Sequence, residues 1–160
     1  MPALREVLAT AFSDVRTYVQ SGNVVLVSGL PPEQVARDCE HLIEERFGFP
    51  VDVLVRTRDD LAEVVRRDPL GAVALDPKRY QVTFLETELD DAARAKLKEL
   101  EAPGEPFLLA GRELYSWHPA GVGRSKLWAR LASDRRLGVT ATARNWTTVT
   151  TLLKMADGEA

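Results

Sequence analysis

The sequence predicts an α+β fold in two lobes, and two observations predict it. Helix-period and strand-period segments alternate along all 160 residues. The same order of elements also recurs on both sides of a connector rich in proline and glycine. From residue 80 the order reads strand, helix, hairpin, helix, short strand, then an extra helix. Before residue 68 it reads helix, hairpin, helix, strand, then an extra helix. The shared plan is βαββαβ, that of a ferredoxin-like lobe, and the first lobe lacks its opening strand. The expected boundaries are an N-terminal lobe over 1–68, a connector over 69–79 and a C-terminal lobe over 80–160.

In the first lobe, Leu4, Val7, Leu8 and Ala11 repeat at helical spacing and open the chain with a helix. Val15 to Gln20 and Val24 to Ser28 are rich in strand formers. Ser21-Gly22-Asn23 between them reads as a hairpin turn, because Gly and Asn accept positive φ. Pro31 and Pro32 start a second helix, whose buried stripe is Val35, Cys39, Leu42, Ile43 and Phe47 and whose stop is Gly48. Cys39 lies in that stripe as a small buried hydrophobe, and His41 falls off it into solvent. Val51 to Arg56 reads as a strand. Thr57 to Asp60 resembles a capping box opening a short helix with Leu61, Val64 and Val65.

In the second lobe, Tyr80 to Glu86 is the first expected strand. A helix follows with Leu89, Ala93, Leu97 and Leu100 on one face, and with Asp90 and Asp91 where the helix dipole favours acids. Pro103-Gly104 ends it. Phe107 to Ala110 and Glu113 to Trp117 flank a second hairpin turn at Gly111-Arg112. Gly121-Val122-Gly123 leads into a helix with Leu127 and Leu131, stopped at Gly138. Val139 to Ala141 is expected as a short strand. The last helix carries Trp146, Val149, Leu152, Leu153 and Ala156.

At 45% apolar and 28% charged residues, the chain has enough apolar material for a hydrophobic core. No apolar run approaches the roughly 18 residues that cross a membrane. The opening residues do not read as a secretory leader, so the expectation is a cytoplasmic protein without membrane partners. One cysteine and two histidines exclude an internal disulfide and argue against a cysteine- or histidine-built metal site. No cofactor is expected. The net charge of −3 hides an asymmetry. Arg112 to Lys154 holds eight basic and two acidic residues, while the rest holds 13 basic and 22 acidic. All three tryptophans lie in the basic stretch. Such segregation creates a local positive field in an acidic protein, or pairs with the acidic remainder.

Three segments carry candidate chemistry. In Gly121-Val122-Gly123-Arg124-Ser125-Lys126 two glycines let amides turn inward, a helix start adds N–H groups, and Arg124, Ser125 and Lys126 add donors. A phosphate or other anion suits that arrangement, and so does a flexible charged turn. The GxxxxGK[ST] spacing is absent, so nothing specific to ATP is implied. In the segment Thr140 to Thr148, Asn145 is a good N-cap, while Arg144 sits beside a helix start against the dipole preference. Arg144 therefore either receives an anion or stacks on Trp146. Gln20, Ser21 and Asn23 form the third segment, where a structural hairpin is the simpler account. His118 could supply a general base or a phosphate donor.

QSGNVV, GVGRSKL and TARNWTTVTTLLKMA together resemble the bacterial family called domain of unknown function 1697 (DUF1697). The resemblance runs along nearly the whole chain. It implies two α+β lobes of ferredoxin-like character and carries no established activity. Members begin with a further strand and a loop resembling LLRGINVGG, and this chain starts inside that pattern. Three outcomes are expected for the resulting gap. Val24–Ser28 and Val51–Arg56 pair directly, or a partner chain fills it through the open sheet edges, or the sequence is a shortened form.

Three functions follow from these residues. The first is a module binding a phosphate-bearing ligand, nucleotide or nucleic acid, through Gly121, Gly123, Arg124, Ser125, Lys126, Arg144, Asn145 and Thr147, with Gln20, Ser21, Asn23, Thr142, Trp146 and His118 as additional candidates. The second is an enzyme for a small phosphorylated or carboxylated metabolite. The third is an interaction protein without a small ligand. The first reading expects Gly121–Lys126 and Thr142–Thr147 to form one donor-rich surface.

Overall fold

In a computed structural model of the chain, the described residues are 1–20, 22–133 and 137–159, without the side chains of 132 and 133. The fold is mixed α+β with two antiparallel sheets, one of two strands and one of four. The chain divides into two compact units, Met1–Ala62 with the chain from Thr151 on, and Glu63–Thr150. This differs from the expected boundary. Residues 69–79 lie inside the second unit, and the end of the last helix belongs with the first.

In the first unit, α1 (Pro2–Leu8) precedes the hairpin of β1 (Ser13–Tyr18) and β2 (Asn23–Val27). The expected turn is present. Gly22 has φ 78°, and the Asn23 side-chain amide donates to the Tyr18 carbonyl at 3.1 Å. α2 (Pro32–Phe47) follows and stops at Gly48, which takes the left-handed conformation with φ 81°. Leu8, Phe12, Val35 and Cys39 form the core here, with Val15, Val24, Leu26, Val53 and Val55 packed against it. Ala11 lies beyond α1 and is exposed. Burial pushes the Cys39 thiol up to about 11, so it stays protonated as a small hydrophobe.

The expected strand over residues 51–56 does not form. The segment joins neither sheet, and β2 pairs with β1 alone. A strand is defined by a ladder to a neighbour, which strand-forming residues cannot supply by themselves. Side chains take part of that role. Glu40 of α2 accepts the Val53 N–H at 2.9 Å, and Arg56 donates to the Val55 carbonyl at 3.2 Å. Direct pairing of Val24–Ser28 with Val51–Arg56 is thus not the solution adopted. At the start of α3 (Arg58–Arg67) the capping box is reciprocal. Thr57 N–H donates to Asp60 Oδ2 at 3.0 Å, and Asp60 N–H donates to Thr57 Oγ1 at 3.1 Å.

The second unit contains β3 (Tyr80–Leu85), α4 (Asp91–Lys98), β4 (Phe107–Ala110), β5 (Glu113–Trp117), a 3₁₀ turn over Val122–Arg124, α5 (Lys126–Ser133) and β6 (Ala141–Asn145). α6 (Trp146–Ala156) closes the chain. The spatial strand order is β4-β5-β3-β6, all antiparallel. β6 starts at Ala141, where the sequence placed its end. Ala141 and Ala143 face Leu85 and Thr83, and small residues there leave room for α5 over that sheet face.

The register fixes the two faces. Leu85, Leu114 and Leu127 pack with Leu89, Ala93, Leu97 and Leu100 on the face covered by α4 and α5. At roughly 1.5–3 kcal/mol for each leucine side chain buried, this cluster of six leucines and Ala93 is a main stabilising element of the unit. The opposite face carries Tyr80, Val82 and Tyr115. There the Tyr80 ring stacks on Trp146 at 4.7 Å, and the Tyr115 hydroxyl donates to the Val64 carbonyl at 2.9 Å. Among the described residues no helix is long and apolar enough to cross a membrane, and no group of three metal-ligating side chains occurs.

Candidate functional site

Gly121 has φ 84°, which admits glycine readily and other residues at a cost. The chain then makes a single 3₁₀ turn, and Ser125 caps α5. Its Oγ accepts the Trp128 N–H at 2.9 Å. Ser125 is buried, whereas Arg124 and Lys126 on either side of it are exposed.

The amides at the start of α5 meet an internal anion. Glu105 enters from the tight turn after Pro103-Gly104, where Gly104 has φ 77°. Its Oε1 accepts the Lys126 N–H at 3.1 Å, and its Oε2 accepts the Ser125 hydroxyl. The Leu127 amide also bonds to this carboxylate. The charge a helix N-terminus favours is therefore supplied by the chain itself. Ser125 and the neighbouring amides are engaged in holding the loop, and the cations of the segment project outward.

His118 completes the network. Its Nε2 lies 2.8 Å from Ser116 Oγ, and its Nδ1 lies 2.7 Å from Ser125 Oγ and 3.3 Å from Glu105 Oε2. Ser116 and His118 share a face because they are two residues apart on extended chain. The donor count assigns the tautomer. Ser125 gives its one proton to Glu105, so Nδ1 carries the histidine proton and donates to Ser125, and Nε2 accepts from Ser116. Burial, the larger effect, lowers the His118 pKa, and the neighbouring Glu105 only partly offsets it. Burial raises the Glu105 pKa, but bonds from Ser125, His118 and the Lys126 and Leu127 amides outweigh it, so the net shift is downward. His118 and Ser116 are both 0% exposed, which sets them apart from a general base or donor facing solvent.

Thr142 and Arg144 stand on β6, two residues apart, with Arg144 opposite Val82. Arg144 thus belongs to the Tyr80–Tyr115 face, and Ser116 and Ser125 to the other. The expected single surface joining Arg124 and Lys126 to Arg144 is not how the sheet arranges them. β6 is an edge strand, however, and the Arg144 guanidinium runs along that edge. Its NH1 donates to Thr142 Oγ1 at 2.6 Å and to the Ala143 carbonyl at 2.8 Å. Burial lowers its pKa. Asn145 caps α6 as expected, its Oδ1 accepting the Thr148 N–H at 2.9 Å. The Thr147 carbonyl accepts from Thr150 Oγ1 at 3.2 Å. Trp146 is spent on Tyr80 rather than on an arginine face.

The third segment belongs to the first unit. Gln20 is exposed, Asn23 is committed to the hairpin, and Ser21 lies outside the described residues. Glu105, Ser116 and Arg79 were not singled out from the sequence. Arg79 donates to the Pro119 carbonyl, and its own carbonyl accepts the His118 N–H at 3.1 Å, so a third cation, half-exposed, adjoins the loop. The only local signal for Ser116 was its alternation with His118. Glu105 gave none, because its partners lie about twenty residues away along the chain.

No curated protein matches the chain. Among solved structures it is similar to the conserved bacterial protein SP0830 from Streptococcus pneumoniae, with 20% sequence identity and a TM-score of 0.77 over 98% of this chain and 88% of that one. At that identity the likeness shows the fold. A family model described as protein of unknown function (DUF1697) matches residues 1–115, and the chain belongs to that family.

Proposed function

We propose that the protein is a binding module for a phosphate-bearing partner, a nucleotide or nucleic acid, and that the second unit makes the contact. The observation that carries this reading is the arrangement around Ser125. A buried, hydrogen-bonded residue anchors the loop, and the two cations flanking it are exposed. Cations held on a fixed backbone lose less freedom when they meet a phosphate than cations on a loose turn. Glu105 already satisfies the helix N-terminus, so the contact is made by the Arg124 and Lys126 side chains, with Arg79 beside them, rather than by backbone amides.

The second unit reads as ferredoxin-like on its β-α-β-β-α-β order and its β4-β5-β3-β6 sheet. A cytoplasmic location belongs to the same reading, and the lone, buried, free Cys39 suits a reducing compartment. The test is a fluorescence-anisotropy titration of a labelled single-stranded oligonucleotide at low salt. Saturable binding that weakens in the Arg124→Ala/Lys126→Ala double variant supports the proposal. Binding that the double variant leaves unchanged contradicts it.

A further inference from the structure

The two edges of the four-stranded sheet differ. Along β6 the Ala143 carbonyl is bonded to Arg144 NH1, so the edge is covered by its own side chain. β4 is open over its middle. It reads Phe-Leu-Leu-Ala, without the charge, the proline or the bulge that usually blunts an edge. Leu108, at its centre, is a large apolar side chain and is 40% exposed.

The hydrogen-bond pattern fixes which groups of β4 point outward. The Trp117 N–H donates to the Pro106 carbonyl at 3.0 Å, so by alternation residues 106, 108 and 110 bond to β5. Phe107 and Leu109 direct their N–H and C=O groups the other way, to the open side. The open stretch is bounded at both ends. The Glu105 N–H, next along that side, is taken by the Ala102 carbonyl at 3.1 Å, and Arg67 donates to the Ala110 carbonyl at 3.4 Å. The outward donor–acceptor pairs of Phe107 and Leu109 are left between them, placed symmetrically about Leu108.

That arrangement is complementary to itself. Two β4 strands laid antiparallel with Leu108 opposite Leu108 bring Phe107 of each copy opposite Leu109 of the other. Each such pair exchanges both of its N–H···O=C bonds. The Leu108 pair is then of the kind without hydrogen bonds, in which side chains approach most closely. We propose that β4 is a self-association edge, through which two copies of this chain join their four-stranded sheets about a two-fold axis. The contact closes at two copies, because the same edge is used on both. It covers the exposed Leu108 and leaves the Phe107 and Leu109 side chains packed on the leucine cluster. An extended segment of another protein is a poorer match, since the bounded edge pairs only with a strand as short as β4 itself. The proposal does not depend on the phosphate-binding reading.

Sedimentation velocity over a concentration series up to about 1 mM compares the wild type, Leu108→Lys, Leu108→Glu and an equal mixture of the two variants. Unfolding curves establish that both variants are folded. The wild type should dimerise as concentration rises. Each variant alone should associate at least about tenfold more weakly, because like charges meet at the two-fold axis. The mixture should regain the dimer, because opposite charges meet there. Amide exchange of the wild type at low and high concentration needs no variant. The Phe107 and Leu109 amides should gain protection with concentration, while the Leu108 amide, bonded to β5 in either state, should not change.

A wild type that stays monomeric throughout overturns the proposal and leaves the edge to a strand of another protein. A dimer that persists equally in Leu108→Lys and Leu108→Glu overturns it in favour of another surface. Loss in both variants without recovery in the mixture overturns the Leu108 pairing on which it rests. Exchange at Phe107 and Leu109 that is the same in monomer and dimer overturns it as well.

Discussion

The Glu105 carboxylate sits on the first turn of α5, with Oε1 3.1 Å from the Lys126 amide nitrogen. A side chain about twenty residues upstream thus does for this helix what a bound anion does at other helix starts. Glu105→Ala should destabilise the protein by roughly 1–3 kcal/mol, because the buried Ser125 hydroxyl and the amides of the first turn of α5 lose their acceptor. Glu105→Gln should cost less, since one oxygen acceptor is kept. Denaturant unfolding of the two variants measures the order.

The same network predicts how stability depends on pH. His118 has a lowered pKa, so the unfolded chain takes up its proton first, and stability falls as pH drops through the ordinary value of 6.5. Glu105 is also lowered, so its contribution is complete above its ordinary 4.5 and is lost as pH falls below that. Thermal unfolding followed from pH 8 downward should therefore show a decline beginning near 6.5 and steepening below 4.5. His118→Asn should flatten the upper part of that decline. A midpoint constant from pH 8 to pH 5 would contradict this account of the network.

Gly121 and Gly123 should part company on substitution. Neither has any atom within 4 Å of an added Cβ, but only Gly121 has positive φ. Gly121→Ala should cost about 1–3 kcal/mol of backbone strain, because φ 84° with ψ 159° is a conformation nearly confined to glycine, and Gly123→Ala should be neutral or slightly stabilising. Unfolding free energies of the two variants test this.

Much of the fold was legible because its signals are local. The Gly22-Asn23 turn, the Thr57–Asp60 box, the Gly48 stop and the Leu89/Ala93/Leu97/Leu100 stripe each depend on residues within a few positions of one another. Residues 51–56 have the composition of a strand, yet a ladder needs a neighbour that composition does not specify. β6 was misplaced by several residues because the Val139–Ala141 run has the stronger strand propensity, while pairing with β3 selects Ala141–Asn145. At the site, Asn145 was legible as an N-cap and Ser125 as a polar donor at a helix start, but Ser125 was not legible as a cap committed to the fold. That commitment depends on Glu105 and on the sheet register, which are tertiary.

Tyr115 should behave as a structural residue. Burial, the largest effect, pushes its phenol up to about 12, so it remains a hydrogen-bond donor to Val64 at any ordinary pH. Tyr115→Phe should cost roughly 0.5–1.5 kcal/mol by removing this buried hydrogen bond, while the Val64 carbonyl keeps the Asp68 N–H at 3.5 Å, and should leave oligonucleotide affinity unchanged. Unfolding and anisotropy on the one variant separate the two effects.

The claim that Arg124 and Lys126 meet phosphates is tested most directly by the salt dependence of binding. For a single strand, the logarithm of affinity falls with the logarithm of salt concentration by about 0.7 per phosphate neutralised. The Arg124→Ala/Lys126→Ala variant should therefore show a slope shallower than wild type by about 1.4. An identical slope in wild type and variant, over the same salt range and with both proteins folded, would contradict the account.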